Sequence, residues 1–367
     1  MIRSLFKATG KRSAAALLLL LLVLLLLGFL YVEAVTDRNL KRIEQFREEV
    51  GASTAAQLWA MTVDRRDSAY FPLRDRSWIE HSEIYLTFSE MEHLEDPTPL
   101  PADLKTEFLE EVRTANSFSP PEIVDLGPSY AVVLTPIMGL ARHWLITADD
   151  GSVTEKEKLE NWHRGLEIIE SLVGGGGLLL EEVIRISVLT SFLEYSHRWL
   201  DLDEEEDLNR IILTLSRIEP PRQAIGRVAR IEIMSAIALI ESELWQGDNQ
   251  GFPYLFCFDL EYYLSRNLSW CLDPHDQEKL ARLSEEPPFY APVSSAMMIT
   301  FEKLYNKAMG VDAQLRATMA AFELLSARRS GKSWNPPDGV EVLVDEAGRS
   351  RIHITDGPAE SELYLPE

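Results

Sequence analysis

Seven histidines and two cysteines are the side chains of this sequence best suited to chemistry, and their spacing offers little. His81, His93, His143, His163, His197, His275 and His353 include no His-x-x-x-His pair, and Cys257 and Cys271 are not a Cys-x-x-Cys pair. Zinc-ligand spacing is therefore missing at the level of local sequence. No Gly-x-Ser-x-Gly nucleophile elbow occurs. His163 beside Trp162, and His197 near Tyr195 and Trp199, are the best placed. Facing one cleft, the two would serve as acid and base; otherwise they are ordinary histidines packed beside aromatics. His81 and His93, with Glu80, Glu83, Glu90 and Glu92 around them, read as solvated helix surface.

The carboxylates are too many to single out a catalytic pair. The run Asp201, Asp203, Glu204, Glu205, Glu206 and Asp207 lacks the alternating ligands and central glycine of an EF-hand loop. It reads as the acid-rich first turn of a helix, favoured by the positive end of the helix dipole. Gly174 to Gly177 lack the Gly-Lys-Ser/Thr ending of a phosphate loop and follow an amphipathic helix, so they read as a hairpin turn. Cofactors and metals are thus not expected from the motifs.

Two further groups carry site expectations. Cys257 and Cys271 would bridge outside the cytoplasm only if a turn near Asn267-Leu268-Ser269 separates them. On one continuous helix they would lie about 20 Å apart, beyond disulfide reach; two buried free thiols are the alternative. The aromatic stretch 252–270 contains Tyr254, Tyr262, Tyr263 and Trp270, which would line a groove for a peptide, glycan or lipid, or else build core.

The elements that must position these residues are mostly helices. Thr154 to Val173 has Leu159, Trp162, Leu166, Ile169 and Leu172 on one face, and Leu178 to Leu200 has Val183, Ile186, Leu189 and Phe192. A second hairpin pairs Glu204 to Ile218 with Arg222 to Trp245, Pro221 standing where a helix tolerates its missing N–H. Helices over Ile79 to Leu94, from Pro101 to about Thr114, and over Ser129 to Thr147 are expected in the first half, and Val293 to Met309 and Asp312 to Arg329 near the end. Val340 to Val344 and Arg351 to Thr355 alternate as strands of a β-hairpin, and Glu362 to Leu365 suits a third short strand.

The most telling stretch precedes all of these. Ala14 to Val32 is uninterrupted and apolar, with Leu20 and Leu25 at its heart, Gly28 as its one helix-weakening residue and Tyr31 at its far end. About 20 such residues cross a bilayer core of roughly 30 Å. Arg3, Lys7, Lys11 and Arg12 precede it, so the positive-inside bias puts the N-terminus in the cytoplasm and the bulk outside. A cleaved signal peptide would have a shorter core, about 7–15 residues, and the small-residue site Val32-Glu33-Ala34 is a poor one. The chain carries 36 basic and 59 acidic residues; without the four basic residues ahead of the span the remainder has a net charge of −27. That charge opposes binding to nucleic acid and to anionic lipid surfaces.

Leu140-Ala141-Arg142 through Arg185, and Gln314 through Leu324, resemble a broad set of bacterial envelope proteins with an N-terminal anchor, helical hairpins and a short β tail after a Gly-x-Tyr-Pro-like segment. This chain departs there, with Gly331-Lys332-Ser333-Trp334-Asn335-Pro336. The set has no assigned activity, so the resemblance implies an architecture and no functional residues.

The expectation is a mostly α protein with a single N-terminal transmembrane helix, then an irregular α-solenoid or helical bundle with a small C-terminal β-hairpin. Its parts are a basic cytoplasmic N-terminus (1–13), a signal anchor (14–32), a juxtamembrane stalk helix (33–51), an extracytoplasmic helical domain (52–330) and the β tail (331–367). Such a protein is a cell-envelope scaffold whose partners are the bilayer and a protein or envelope component. The alternative is an envelope hydrolase, or a glycan- or peptide-binding protein, with its site between helices near 252–270.

Overall fold

Long apolar and amphipathic runs dominate the sequence, and the computed structural model is accordingly mostly helical, with one small antiparallel sheet at the C-terminal end. It describes residues 2–62, 153–172, 179–202, 204–239, 252–274, 276–283, 285, 292–344, 349–356 and 359–365. The helices expected over 79–94, 101–114 and 129–147 lie outside these residues, as do His81, His93, His143, His275 and the four glycines. The elements are α1 (Ile2–Val50), α2 (Ala55–Thr62), α3 (Glu155–Leu172), α4 (Leu179–Ser196), a 3-10 turn (His197–Trp199), α5 (Glu205–Ser216), α6 (Pro221–Leu239), α7 (Phe252–Leu272), α8 (Gln277–Leu283), α9 (Pro292–Ser330), β1 (Val340–Val344), β2 (Ser350–Asp356) and β3 (Ala359–Tyr364).

Local sequence explains the element ends. Thr154 and Glu157 form a capping box at the start of α3: the Glu157 amide donates to Thr154 Oγ1 at 3.3 Å and the Thr154 amide donates to Glu157 Oε2 at 2.9 Å. Asp276 caps α8 by accepting from the amides of Glu278 and Lys279. Gly51 and Gly331 stop α1 and α9 with left-handed backbones, φ 69° and 65°. The amides of Ala52 and Lys332 then donate back to Arg47 and Ala327, which closes a Schellman motif at each end.

The chain divides into two compact units. In the first, which holds residues 1–52 and 236–299, the second half of α1 packs along α7. Val35, Asn39, Ile43 and Phe46, on the expected juxtamembrane stalk helix, are buried in this seam against α7. Leu40 is 37% exposed, and the buried stripe runs instead through Asn39, a polar residue that apolar periodicity passes over.

The second unit, residues 53–235 and 300–367, holds the helical hairpins and the sheet. Its core contains Trp162, Phe192, Trp199, Ile211, Ile225, Val228, Tyr305 and Phe322, all within 1% exposure. Trp162 and Trp199 meet edge to face at 5.3 Å, and the Trp162 indole donates to the Phe192 carbonyl at 2.9 Å. The two expected helices 293–309 and 312–329 are one helix, α9. Gly310 lies inside it without breaking it, because a helical glycine costs only about 1 kcal/mol, and Ala308, Met309, Val311 and Ala313 are buried on either side.

The sheet has the order β1-β2-β3, antiparallel throughout. The third strand starts three residues earlier than expected. Val340, Ile352, Ile354, Ala359 and Leu363 turn to the buried face. Arg316 of α9 donates to the Asp338 carbonyl at 2.6 Å, and Trp334 donates to Glu323 at 3.3 Å, tying the approach to β1 onto α9.

Candidate functional site

The anchor is the first candidate. Leu19 to Leu27 are each 44–67% exposed, and Phe29, Leu30 and Tyr31 are 50–58% exposed. One helix among the described residues is long and apolar enough to cross a membrane, and this is it. Leu20 and Leu25 sit in the exposed stretch, and nothing lies within 4 Å of where a Cβ on Gly28 would stand. Arg3, Lys7, Lys11, Arg12 and Ala14 lie on α1 ahead of it. The span ends against protein: Tyr31 stacks on Phe258 of α7 with ring centroids 5.7 Å apart. One turn of the helix further, Val35 begins the buried seam.

Within the seam the contacts turn polar. The Asn39 amide donates to the Cys257 carbonyl at 2.9 Å with no exposure to solvent, and Arg38 and Arg42 approach Glu261 at 3.4 and 3.7 Å. A buried amide in a helix seam fixes register at some cost in stability.

Cys257 and Cys271 are both free and both buried, on α7, which runs unbroken between them. The turn that a bridge needs near Asn267 is not there, so the two sulfurs stay about 20 Å apart along the helix. Burial pushes the Cys257 thiol up. The aromatic groove fares similarly. Tyr263 is 4% exposed and Trp270 fully buried, so they build core. Tyr262 is half-buried, its ring under the Arg266 guanidinium at 4.3 Å, and the side chain of Tyr254 lies outside the described set. Among the described side chains of the run, Tyr263 and Trp270 serve helix packing.

The histidines of the hairpins do not form an acid–base pair. His163 Nδ1 meets Thr214 Oγ1 of α5 at 2.9 Å, while His197 Nε2 meets Thr318 Oγ1 of α9 at 3.4 Å. Burial, with Arg210 nearby, pushes His163 down to about 3, so it is neutral at ordinary pH. Burial lowers His197 as well.

A cluster of charges that sequence reading missed lies at the centre of the hairpins. Arg185 of α4 has no solvent exposure. Its Nε and Nη2 donate to Glu182 at 2.9 and 2.7 Å, a bidentate pair, and Nη1 donates to Glu170 of α3 at 3.2 Å and to the Glu219 carbonyl at 3.0 Å. Glu219 in turn accepts from Arg227 of α6 at 2.6 Å. Burial raises Glu170 and Glu182 above the usual carboxylate range, although Arg185 opposes it. Burial alone would lower Arg185, but Glu182 and Glu170 more than reverse this and hold it protonated. Each guanidinium nitrogen is engaged by these contacts, and the group joins α3, α4, α6 and the α5–α6 turn.

A third site lies on the outer face of the sheet. Register places His353 of β2 opposite Glu362 of β3 and opposite Glu341 of β1. His353 Nδ1 is 3.3 Å from Glu362 Oε1 and 3.8 Å from Glu360 Oε1. No signal in linear sequence marks this trio, because strand pairing rather than spacing assembles it. No family model, curated protein or solved structure matches the chain.

Proposed function

We propose that this protein is a single-pass, membrane-anchored helical scaffold of the cell envelope, with its bulk on the extracytoplasmic side and a protein or envelope component as partner. The observation that carries the reading is α1. It runs without a break from an exposed leucine stretch into a buried seam. A contiguous apolar surface of that extent is not left to water, and lipid is the solvent that suits it. The four basic residues ahead of the span favour a cytoplasmic N-terminus, and the net charge of −27 beyond it favours a hydrated, non-nucleic-acid role. In this reading the hairpins α3–α4 and α5–α6 belong to an irregular solenoid or bundle that presents the partner surface.

The rival reading is a cleaved signal sequence. Cutting after Ala34 would place a charged α-amino group on Val35, which is fully buried in the seam. That cost supports retention of the anchor. N-terminal sequencing of protein extracted from membranes should return Met1 or Ile2; a new N-terminus near Val35 would end the anchor reading. Protease added to intact spheroplasts should digest the helical units and spare the N-terminus; protection of the helical units would reverse the orientation. Crosslinking in the membrane followed by affinity capture should give one reproducible heteromeric band; a chain that stays monomeric and uncrosslinked would count against a scaffold. The alternative of a glycan or peptide site near 252–270 is weakened by the burial of Tyr263 and Trp270.

A further inference from the structure

We infer that the outer face of the C-terminal sheet is a divalent metal site for Zn2+, with His353 Nδ1, Glu360 Oε1 and Glu362 Oε1 as its ligands. These three atoms lie within 4.8 Å of one another. A tetrahedral zinc ion with ligand bonds of about 2.0–2.1 Å holds its ligand atoms roughly 3.3 Å apart. The separations from Nδ1 to the two carboxylates are 3.3 and 3.8 Å, so the ion fits with a small inward movement of Glu360.

The imidazole supplies the reason to look beyond a patch of acids. Nδ1 is sealed from solvent and makes no hydrogen bond, although a carboxylate oxygen is 3.3 Å away. Two lone-pair-bearing atoms at that separation, with no proton between them, are left facing each other. The other nitrogen, Nε2, is 2.9 Å from Thr355 Oγ1. In the tautomer with the proton on Nε2, that atom donates to Thr355, and Nδ1 turns a lone pair towards two anionic oxygens. A cation makes that arrangement favourable.

The outer contacts match those of metal ligands. Thr355 holds the far nitrogen of His353, and Arg351 donates to the far oxygen of Glu362 at 2.8 Å. Such contacts orient ligands and set their basicity. Glu341, Glu360 and Glu362 outnumber the two cations on this face, Arg351 and Arg349, whose guanidinium lies over Tyr364 at 5.2 Å, so the face is net negative. Imidazole with carboxylates suits zinc better than calcium, which takes oxygen ligands in larger number. Three protein ligands leave a fourth position for water, and the ion fastens β3 to β2.

The test is calorimetric titration of ZnCl2 into the full-length protein in detergent after chelator stripping. One equivalent should bind. His353→Ala should weaken binding about 100-fold, and Thr355→Val by about tenfold or more. Co2+ in place of Zn2+ should give the visible absorption of a tetrahedral site. Far-UV circular dichroism checks the fold. Should His353→Ala disturb the sheet, Glu360→Gln carries the test, because the Glu360 side chain is 67% exposed and is not needed for packing. Absence of stoichiometric binding would overturn the proposal. So would zinc affinity unchanged in both variants, or equal affinity for Ca2+, which would reduce the site to surface carboxylates.

Discussion

Two clusters of ionisable side chains in the same unit are built on opposite plans. Around Arg185 all three guanidinium nitrogens donate to carboxylates or a carbonyl, and water is excluded. Around His353 the partners are held from outside, while the one nitrogen that faces inward is left without a hydrogen bond. The first cluster spans three helices and a turn, and with nothing left over to offer a ligand it is suited to holding the hairpins together. The second lies on a sheet face and can gain or lose an ion without disturbing the core.

This contrast can be broken by substitution. Arg185→Met should produce the largest effect, a loss of about 3–5 kcal/mol, because it leaves Glu170 and Glu182 buried without their cation. Urea denaturation would measure it, and a loss under about 1 kcal/mol would show that the cluster does not hold the hairpins. In metal-free protein, His353→Ala should stay within about 0.5 kcal/mol of the parent in the same experiment.

His163 sharpens the comparison through pH. Its folded value of about 3 lies below the ordinary 6.5. Above pH 6.5 both states leave it neutral. As pH falls, the unfolded chain takes up a proton that the folded chain refuses, so stability declines until pH reaches about 3. By pH 5 this amounts to about 2 kcal/mol. His163→Gln should lack that component, which the difference between the two stability–pH curves would expose; parallel curves would refute it.

A smaller effect is expected for Glu170→Gln. The cluster then holds two carboxylates against two guanidiniums, and Arg185 keeps Glu182 and the Glu219 carbonyl. Stability at neutral pH should change by no more than about 1 kcal/mol. A raised Glu170 favours the folded state below pH 4.5 and loses that advantage as pH rises above it, so the variant should also show a flatter stability curve above pH 4.5. Smallest of all, a reductant should change nothing. Cys257 and Cys271 should react with a thiol reagent only after denaturation, and a reductant-dependent mobility shift would contradict the free thiols.

Much of this architecture could be read from local pattern. The apolar span, the helices of the α3–α4 hairpin and the strand alternation after Gly331 are encoded within short stretches, so one sequence suffices. What escaped depends on partners distant in the chain. Asn39 looks like a surface residue until α7 covers it. Arg185, Glu182 and Glu170 look like solvated helix faces until α6 and the α5–α6 turn seal them. His353 gains its neighbours from β-strand register alone. The continuity of α9 was lost to Gly310, where packing outweighed propensity.

The unbroken α1 helix has a mechanical consequence. Its 49 residues span about 74 Å at 1.5 Å per residue, and no proline interrupts them. Gly28 is followed by 22 residues of continuous helix before Gly51 ends it, and α7 grips the last part of that run. In the anchored reading proposed above, tilt of the span would be conveyed to α7 as a rod conveys torque, because the helix has no break between the apolar stretch and the seam.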